Sequence, residues 1–118
     1  MMSENEKKDR RFVVFSASYA GYCLTKEAVE WLANKGNEKA KDALKKGFWD
    51  SEFLIKRHDF LLTECVAYLG DAAGIGRLVI KELKGQKYSI LNYNGFEYVV
   101  EPGEIKWVEV EDEHVRNF

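Results

Sequence analysis

The sequence contains few of the residues that cross-link a small domain, bind a metal in it or interrupt its helices and strands. It has two cysteines, two histidines and one proline among 118 residues. Cys23 and Cys65 form no CxxC pair, and two thiols do not make the framework of a disulfide-rich secreted domain. His58 and His114 have no partner at metal-ligand spacing, which argues against a zinc site. We therefore expect a reduced, cytosolic protein with no metal or other cofactor.

Long hydrophobic runs are also missing, since none approaches the roughly 20 residues that a membrane-spanning helix needs. The charged segment 1–11 lacks the hydrophobic stretch of a secretory signal. We expect this segment to be a disordered lead-in, because few of its residues can be buried cheaply. We further expect one domain over 12–110, an acidic tail over 111–118, and no membrane partner.

The net charge of −2 hides an asymmetry between the two halves of the chain. Residues 1–58 carry 12 basic and 9 acidic side chains, whereas residues 59–118 carry 6 and 11. Lysines cluster over 35–46, but Glu38 and Asp42 lie among them at spacings that suit ion pairs along a helix. This pattern favours a solvated helix face over a nucleic-acid surface, which would need a stronger basic excess, so we expect no nucleic-acid partner.

Capping residues and apolar spacing predict three helices. Thr25 and Asn37 are the predicted N-caps of the first two helices, and the second helix has a weak apolar face. Asp59 opens the strongest amphipathic pattern in the chain, which is predicted to end within Gly70–Gly76. The intervening segment Phe48–Ile55 shows no clear period and is predicted to be a loop or a short extended piece.

Beyond Gly76 the apolar period changes from 3.6 to 2, which indicates strands. Four are predicted, over Leu78–Leu83, Tyr88–Tyr93, Phe96–Val100 and Ile105–Val110. The Asn94-Gly95 turn suits the primed hairpin geometries, which need positive φ, and short connections favour sequential antiparallel pairing. A further strand, Phe12–Phe15, lacks alternation, so we predict burial on both faces. The predicted class is α+β: two to three helices packed on a C-terminal antiparallel β-meander, with a short N-terminal strand.

Three sequence blocks resemble a family of small uncharacterised proteins of tailed phages and prophages. They are the aromatic, glycine-rich loop over 19–28, the Arg57-His58-Asp59 helix start, and the strands over 78–97 with the Tyr-Asn-Gly-x-Glu hairpin. The chain departs from the family pattern at Phe60, where proline is expected, and at Asn94, where aspartate is expected. The resemblance implies a phage or prophage accessory protein, and it implies no settled activity.

Aromatic residues make up 14% of the chain, more than a minimal core needs, and a binding surface can use the excess. The candidate ligand-binding residues are Tyr19, Tyr22, Arg57, His58, Tyr93 and Glu97. The tyrosines could stack on a ring, Arg57 could bind an anion, and His58 could move a proton. Each also has a structural alternative. These are loop packing for Tyr19 and Tyr22, an ion pair for Arg57, a surface or interface position for His58, and a cross-strand pair for Tyr93 and Glu97.

Three functions are compatible with these residues. The chain has neither a nucleophile elbow nor a phosphate-binding P-loop, so catalysis gets little support. We expect a non-enzymatic binder that sequesters a small nucleotide-derived immune signal, as a homo-oligomer with pockets between subunits. The alternatives are a module that inhibits a host protein through its acidic C-terminal half, and a nucleotide-processing enzyme that uses His58 as acid or base.

Overall fold

The computed structural model describes residues 10–110. The acidic tail and nearly all of the predicted lead-in therefore lie outside the described residues. Arg11 begins the first strand, one residue before the predicted start of the domain. Among the described helices, none combines the length and the apolar character that crossing a membrane requires.

The predicted α+β class is confirmed. The strands are β1 (Arg11–Ser16), β2 (Leu78–Leu83), β3 (Ser89–Tyr93) and β4 (Phe96–Val100). The helices are α1 (Lys26–Asn34), α2 (Glu38–Lys46), α3 (Ser51–Leu54) and α4 (Phe60–Leu69), and α4 is followed by a 3₁₀ turn (Gly70–Ala72).

All three predicted N-caps are confirmed. The side chain of Thr25 accepts a hydrogen bond from the amide of Ala28 at the start of α1. Asn37 and Asp59 cap α2 and α4 in the same way, each through a side-chain oxygen 2.8 Å from a first-turn amide. These contacts satisfy backbone donors that have no partner within the helix.

Segment Phe48–Ile55 contains a helical turn, which corrects the prediction of a loop or an extended piece. The carboxylate of Asp50 accepts from the amide of Glu52 at 3.0 Å and caps the single turn α3. This turn directs Leu54 into the helical core, where it is buried with Ile55. A single helical turn has too few residues for a helical period to be recognised in the sequence.

The strands form two separate antiparallel pairs, β1 with β2 and β3 with β4. Of the predicted meander, the β3–β4 hairpin forms. The predicted strand order is corrected, because β2 pairs with β1 rather than with β3, and residues 105–110 belong to no strand of the described chain. Val14 pairs with Ile80, and both side chains pack in the helical core. If β2 paired with β3 instead, β1 would not be held against that core.

Strand β1 is the middle layer of the molecule. Val14 faces the helices and packs in the main core, whereas Val13 faces the hairpin and packs with Leu83 and Val99. Both valines are fully buried, so the predicted burial of this strand on both faces is confirmed. The layers are therefore the helices, the β1–β2 pair and the β3–β4 hairpin.

The hairpin turns at the predicted position. Tyr93 pairs with Phe96 across a two-residue loop, and Asn94 and Gly95 have φ values of 54° and 100°. Positive φ at both positions matches the primed turn that the Asn-Gly sequence favours. The side chain of Asn92 accepts from the Gly95 amide at 3.1 Å and holds the turn closed.

Candidate functional site

The segment between α3 and α4 places Arg57 in the interior, with its side chain only 8% exposed. Its two terminal nitrogens each donate to the carboxylate of Glu97 at 2.8 Å. Further bonds run to Glu52, the shortest at 2.6 Å, and to the carbonyl oxygen of Val14 at 3.2 Å. One guanidinium thus joins α3, β1 and β4, and these three partners engage all five of its N–H groups.

The ring of Tyr22 lies against the same guanidinium, with its centroid 3.5 Å from the central carbon of Arg57. A guanidinium stacked on an aromatic face is attracted by the ring quadrupole. Burial raises the pKa of Tyr22 well above its ordinary value, so its hydroxyl stays protonated. That hydroxyl is buried and has no hydrogen-bond partner among the described residues.

Glu97 is the buried carboxylate of this cluster, 4% exposed in its side chain. It accepts from Arg57 and from the backbone amide of Ser16 at 2.8 Å. Burial opposes the charged form, but these hydrogen bonds outweigh it, and the pKa of Glu97 lies below its ordinary value. Glu97 is therefore ionised at neutral pH, and it ties the hairpin to the end of β1.

The pH dependence of stability follows from that lowered pKa. Glu97 contributes stability above its unfolded-state pKa of about 4.3, and this contribution is lost as the pH falls through the lower folded-state value.

We expect Glu97→Gln to lower the free energy of unfolding by about 2 kcal/mol at pH 7, with a smaller difference from wild type at acid pH. Urea titrations at pH 7 and pH 3 measure this; the exposed Glu30→Gln is the control, and a pH-independent difference would contradict the assignment.

A second cluster lies at the hairpin turn. The ring of Tyr19 contacts that of Phe96 edge-on, with centroids 4.5 Å apart. A Cβ on Gly21 would lie 3.7 Å from the Gly95 Cα, which is an ordinary van der Waals contact. The glycine-rich loop therefore packs on the hairpin turn, and Tyr19 itself remains exposed.

The six predicted site residues thus fall in four places. Tyr22, Arg57 and Glu97 meet in the buried cluster, and Tyr19 lies at the hairpin turn. Tyr93 packs against Tyr98 on the exposed face of the hairpin, and His58 points into a separate cleft. The ion pair that was the alternative for Arg57 is present, so an anion at Arg57 would have to displace a carboxylate.

The cleft has a volume of about 710 Å³ and lies between the start of β1, the start of α4 and the connection from β2 to β3. Its lining residues are Arg10, Arg11, Phe12, His58, Phe60, Thr63, Glu64, Leu83, Gln86 and Tyr88. Ligand pockets for small molecules typically have volumes of about 300–1,000 Å³. The lining combines aromatic rings, cationic side chains and the predicted site residue His58.

Within the cleft, Nδ1 of His58 lies 2.8 Å from the hydroxyl of Tyr88, and the rings meet edge-on at 5.8 Å. Partial burial raises the pKa of Tyr88, so this hydroxyl is protonated at neutral pH and can donate. When Tyr88 donates to Nδ1, the ring proton of His58 lies on Nε2. The pair can therefore offer an oriented N–H donor to a bound molecule.

No protein-family model, curated protein or solved structure matches this chain. Over residues 10–110, no group of three or more His, Cys, Asp or Glu side chains is arranged to hold a metal ion. Function is therefore inferred from the geometry of the buried cluster and the cleft.

The sequence did not single out Phe12, Phe60 or Tyr88 as site residues. Their shared signal was the aromatic excess, and Phe60 also replaces the proline expected from the phage-family resemblance. Phe60 remains 47% exposed although it is a large apolar residue at the start of a helix. This exposure at the rim of a cleft is what a ligand-contacting ring would show.

Proposed function

We propose that the protein binds a small anionic molecule that carries an aromatic ring, of the nucleotide class, and sequesters it in the cleft without chemical conversion. The observation that carries this proposal is the lining itself. Three rings, Phe12, Phe60 and Tyr88, share a cleft of ligand size with two arginines and a histidine. Such a mixture of apolar surface with a few polar groups is typical of small-molecule sites.

The cationic side supports an anionic ligand. Arg10 is held by two 2.9 Å hydrogen bonds to Glu82, and its guanidinium lies 5.0 Å from the ring centroid of Phe12. Its position is therefore fixed beside an aromatic surface. Arg11 is also in the lining, and Glu64 is the one acidic lining residue. Guanidinium groups are well suited to hydrogen-bond a phosphate.

The aromatic side supports a ring-bearing ligand. Stacking of a nucleic-acid base on an aromatic side chain contributes about 1–3 kcal/mol to binding, whichever base it is. Phe60 and Tyr88 supply faces or edges at the rim, and the His58–Tyr88 pair supplies the oriented donor described above. These features favour a nucleotide-like molecule over a purely aliphatic acid.

Sequestration is proposed because the lining offers little for catalysis. Among the described lining residues there is no cysteine or serine to act as a nucleophile. In the setting that the phage resemblance implies, the bound molecule would be a nucleotide-derived immune signal. The protein would then act in the host cytoplasm by lowering the free concentration of that signal.

The test compares Phe60→Ala with Phe53→Ala. Phe53 is 78% exposed on α3 and lies outside the cleft lining, so it is a matched control. We expect Phe60→Ala to weaken binding roughly tenfold, with binding by Phe53→Ala unchanged. Isothermal titration against cyclic nucleotides, cyclic dinucleotides and cyclic ADP-ribose isomers measures this. Absence of binding across the panel, or equal loss in both variants, would refute the proposal.

A further inference from the structure

The arm, defined as residues 105–110, exposes large apolar side chains. Trp107 and Val108 are each 89% exposed, and Ile105 and Val110 are also exposed. A monomeric protein rarely leaves such a group of residues contiguous in solvent, and where it does the surface usually binds a partner. We infer that the arm adds as a strand to the β3–β4 hairpin of a second copy of this chain, and that two copies exchange arms.

The composition of the arm is that of a strand. Its β-branched and aromatic residues favour extended structure, and Ile105 and Trp107 lie on one side because successive side chains alternate. Within residues 10–110 the arm has no strand partner. A partner strand on another molecule would satisfy both the strand pattern and the exposed apolar surface.

The root of the arm is fastened in place. In the turn after β4, the amide of Glu104 donates to the carbonyl of Glu101 at 3.1 Å, and the Glu101 amide donates back to the Glu104 carboxylate at 2.6 Å. Lys81 on β2 also bonds Glu104 at 3.3 Å. The Glu101 carboxylate accepts from the amides of Lys84 and Gly85. The arm therefore starts from a fixed point, and all six of its residues are exposed rather than packed along β4.

The hairpin is a suitable acceptor. Strands β3 and β4 form a two-stranded sheet, and among the described residues no third strand pairs with β3. Four of the five residues of β3 are exposed, and the outer face carries the exposed side chains of Leu91, Tyr93 and Tyr98. Two-stranded sheets are marginal alone, so a third strand would stabilise this one.

Three features select a second copy as the occupant. The lengths match, because the arm and β3 each extend about 16–20 Å at about 3.3 Å per residue. Glu109 lies within the arm and can meet exposed Lys84 or Lys87, which precede β3, whereas Glu104 is already paired with Lys81. Reciprocal exchange would bury two arms and two hairpin faces, and doubling the contact in this way helps to reach the roughly 1,200–2,000 Å² of a specific interface.

Sedimentation equilibrium of the full chain tests this inference, independently of any ligand in the cleft. We expect a dimer for wild type, and at least a tenfold weaker dimer for Trp107→Ala and for Leu91→Lys. Phe48→Ala removes a ring that is 73% exposed elsewhere on the surface and should dimerise as wild type does. Circular dichroism should show native folding for all three variants, because each replaced side chain is at least 39% exposed.

Mixing the two interface variants provides the decisive part of the experiment. Trp107→Ala supplies an intact hairpin, and Leu91→Lys supplies an intact arm, so an equimolar mixture can form one native contact per pair. We expect the mixture to dimerise more tightly than either variant alone. A wild-type monomer at 100 µM concentration, or a dimer unaffected by Trp107→Ala, would overturn the inference. A mixture no tighter than its components would also overturn it.

Discussion

Replacing Arg57 with methionine is expected to lower the free energy of unfolding by about 3–5 kcal/mol, because two carboxylates would lose the cation that they share. Glu97 is nearly fully buried and would keep only the amide of Ser16 and the side chain of Asn92 as hydrogen-bond partners. The stacking on Tyr22 would also be lost. For a domain of this size the melting temperature should fall by on the order of 15 °C.

Thermal and urea denaturation of Arg57→Met and of Arg77→Met measure this effect. Arg77 is exposed, so its substitution removes the same charge without breaking a buried cluster. Adding Glu97→Gln to Arg57→Met should recover part of the loss, because it removes one uncompensated buried charge. Equal stability of the Arg57 and Arg77 variants would mean that the cluster does not hold the layers together.

Replacing Gly95 with alanine is expected to cost roughly 3 kcal/mol. At φ +100° a side chain carries a penalty of about 1–2 kcal/mol, and the added Cβ would meet the backbone of the aromatic loop. The nearest atom is the carbonyl oxygen of Tyr19, which would lie closer to the new Cβ than the contacts that real Cβ atoms make. Overpacking of this kind typically adds about 1–3 kcal/mol, and here the obstructing atoms belong to the main chain.

Gly36→Ala is the matched control for Gly95→Ala. Both glycines have φ of +100°, but a Cβ on Gly36 would meet nothing within 4 Å. The difference in unfolding free energy between the two variants therefore measures the contact between the aromatic loop and the hairpin turn. If the two variants were equally stable, the loop would not pack on the turn in solution.

Local features of this fold could be predicted from the sequence because their causes are local. A capping side chain such as Thr25 or Asp59 bonds an amide two or three residues away. The Asn94-Gly95 turn is likewise determined by the φ values that those two residues tolerate. The partner of β2 could not be predicted, because the neighbouring β3 and the distant β1 were both compatible with its sequence, and burial against the helices favours β1.

The same distinction between local and long-range features applies to the candidate site. Arg57 and Glu97 were singled out separately, but their pairing joins positions 40 residues apart, and no sequence period encodes such a contact. Phe12, Phe60 and Tyr88 are also far apart along the chain and meet in the cleft only after β1 has paired with β2. The sequence identified the chemical types present, and the tertiary arrangement determined which of them became structural.

The position of β1 has a consequence for how the chain acquires its fold. Arg11 pairs with Leu83, so β1 leaves the ribosome well before the end of β2, its partner strand, has been synthesised. At about 5–20 residues per second this delay is on the order of 10 s. During that time the two fully buried valines of β1 have no native strand beside them. Long-range closure of this kind makes folding slow relative to a helical bundle of equal length.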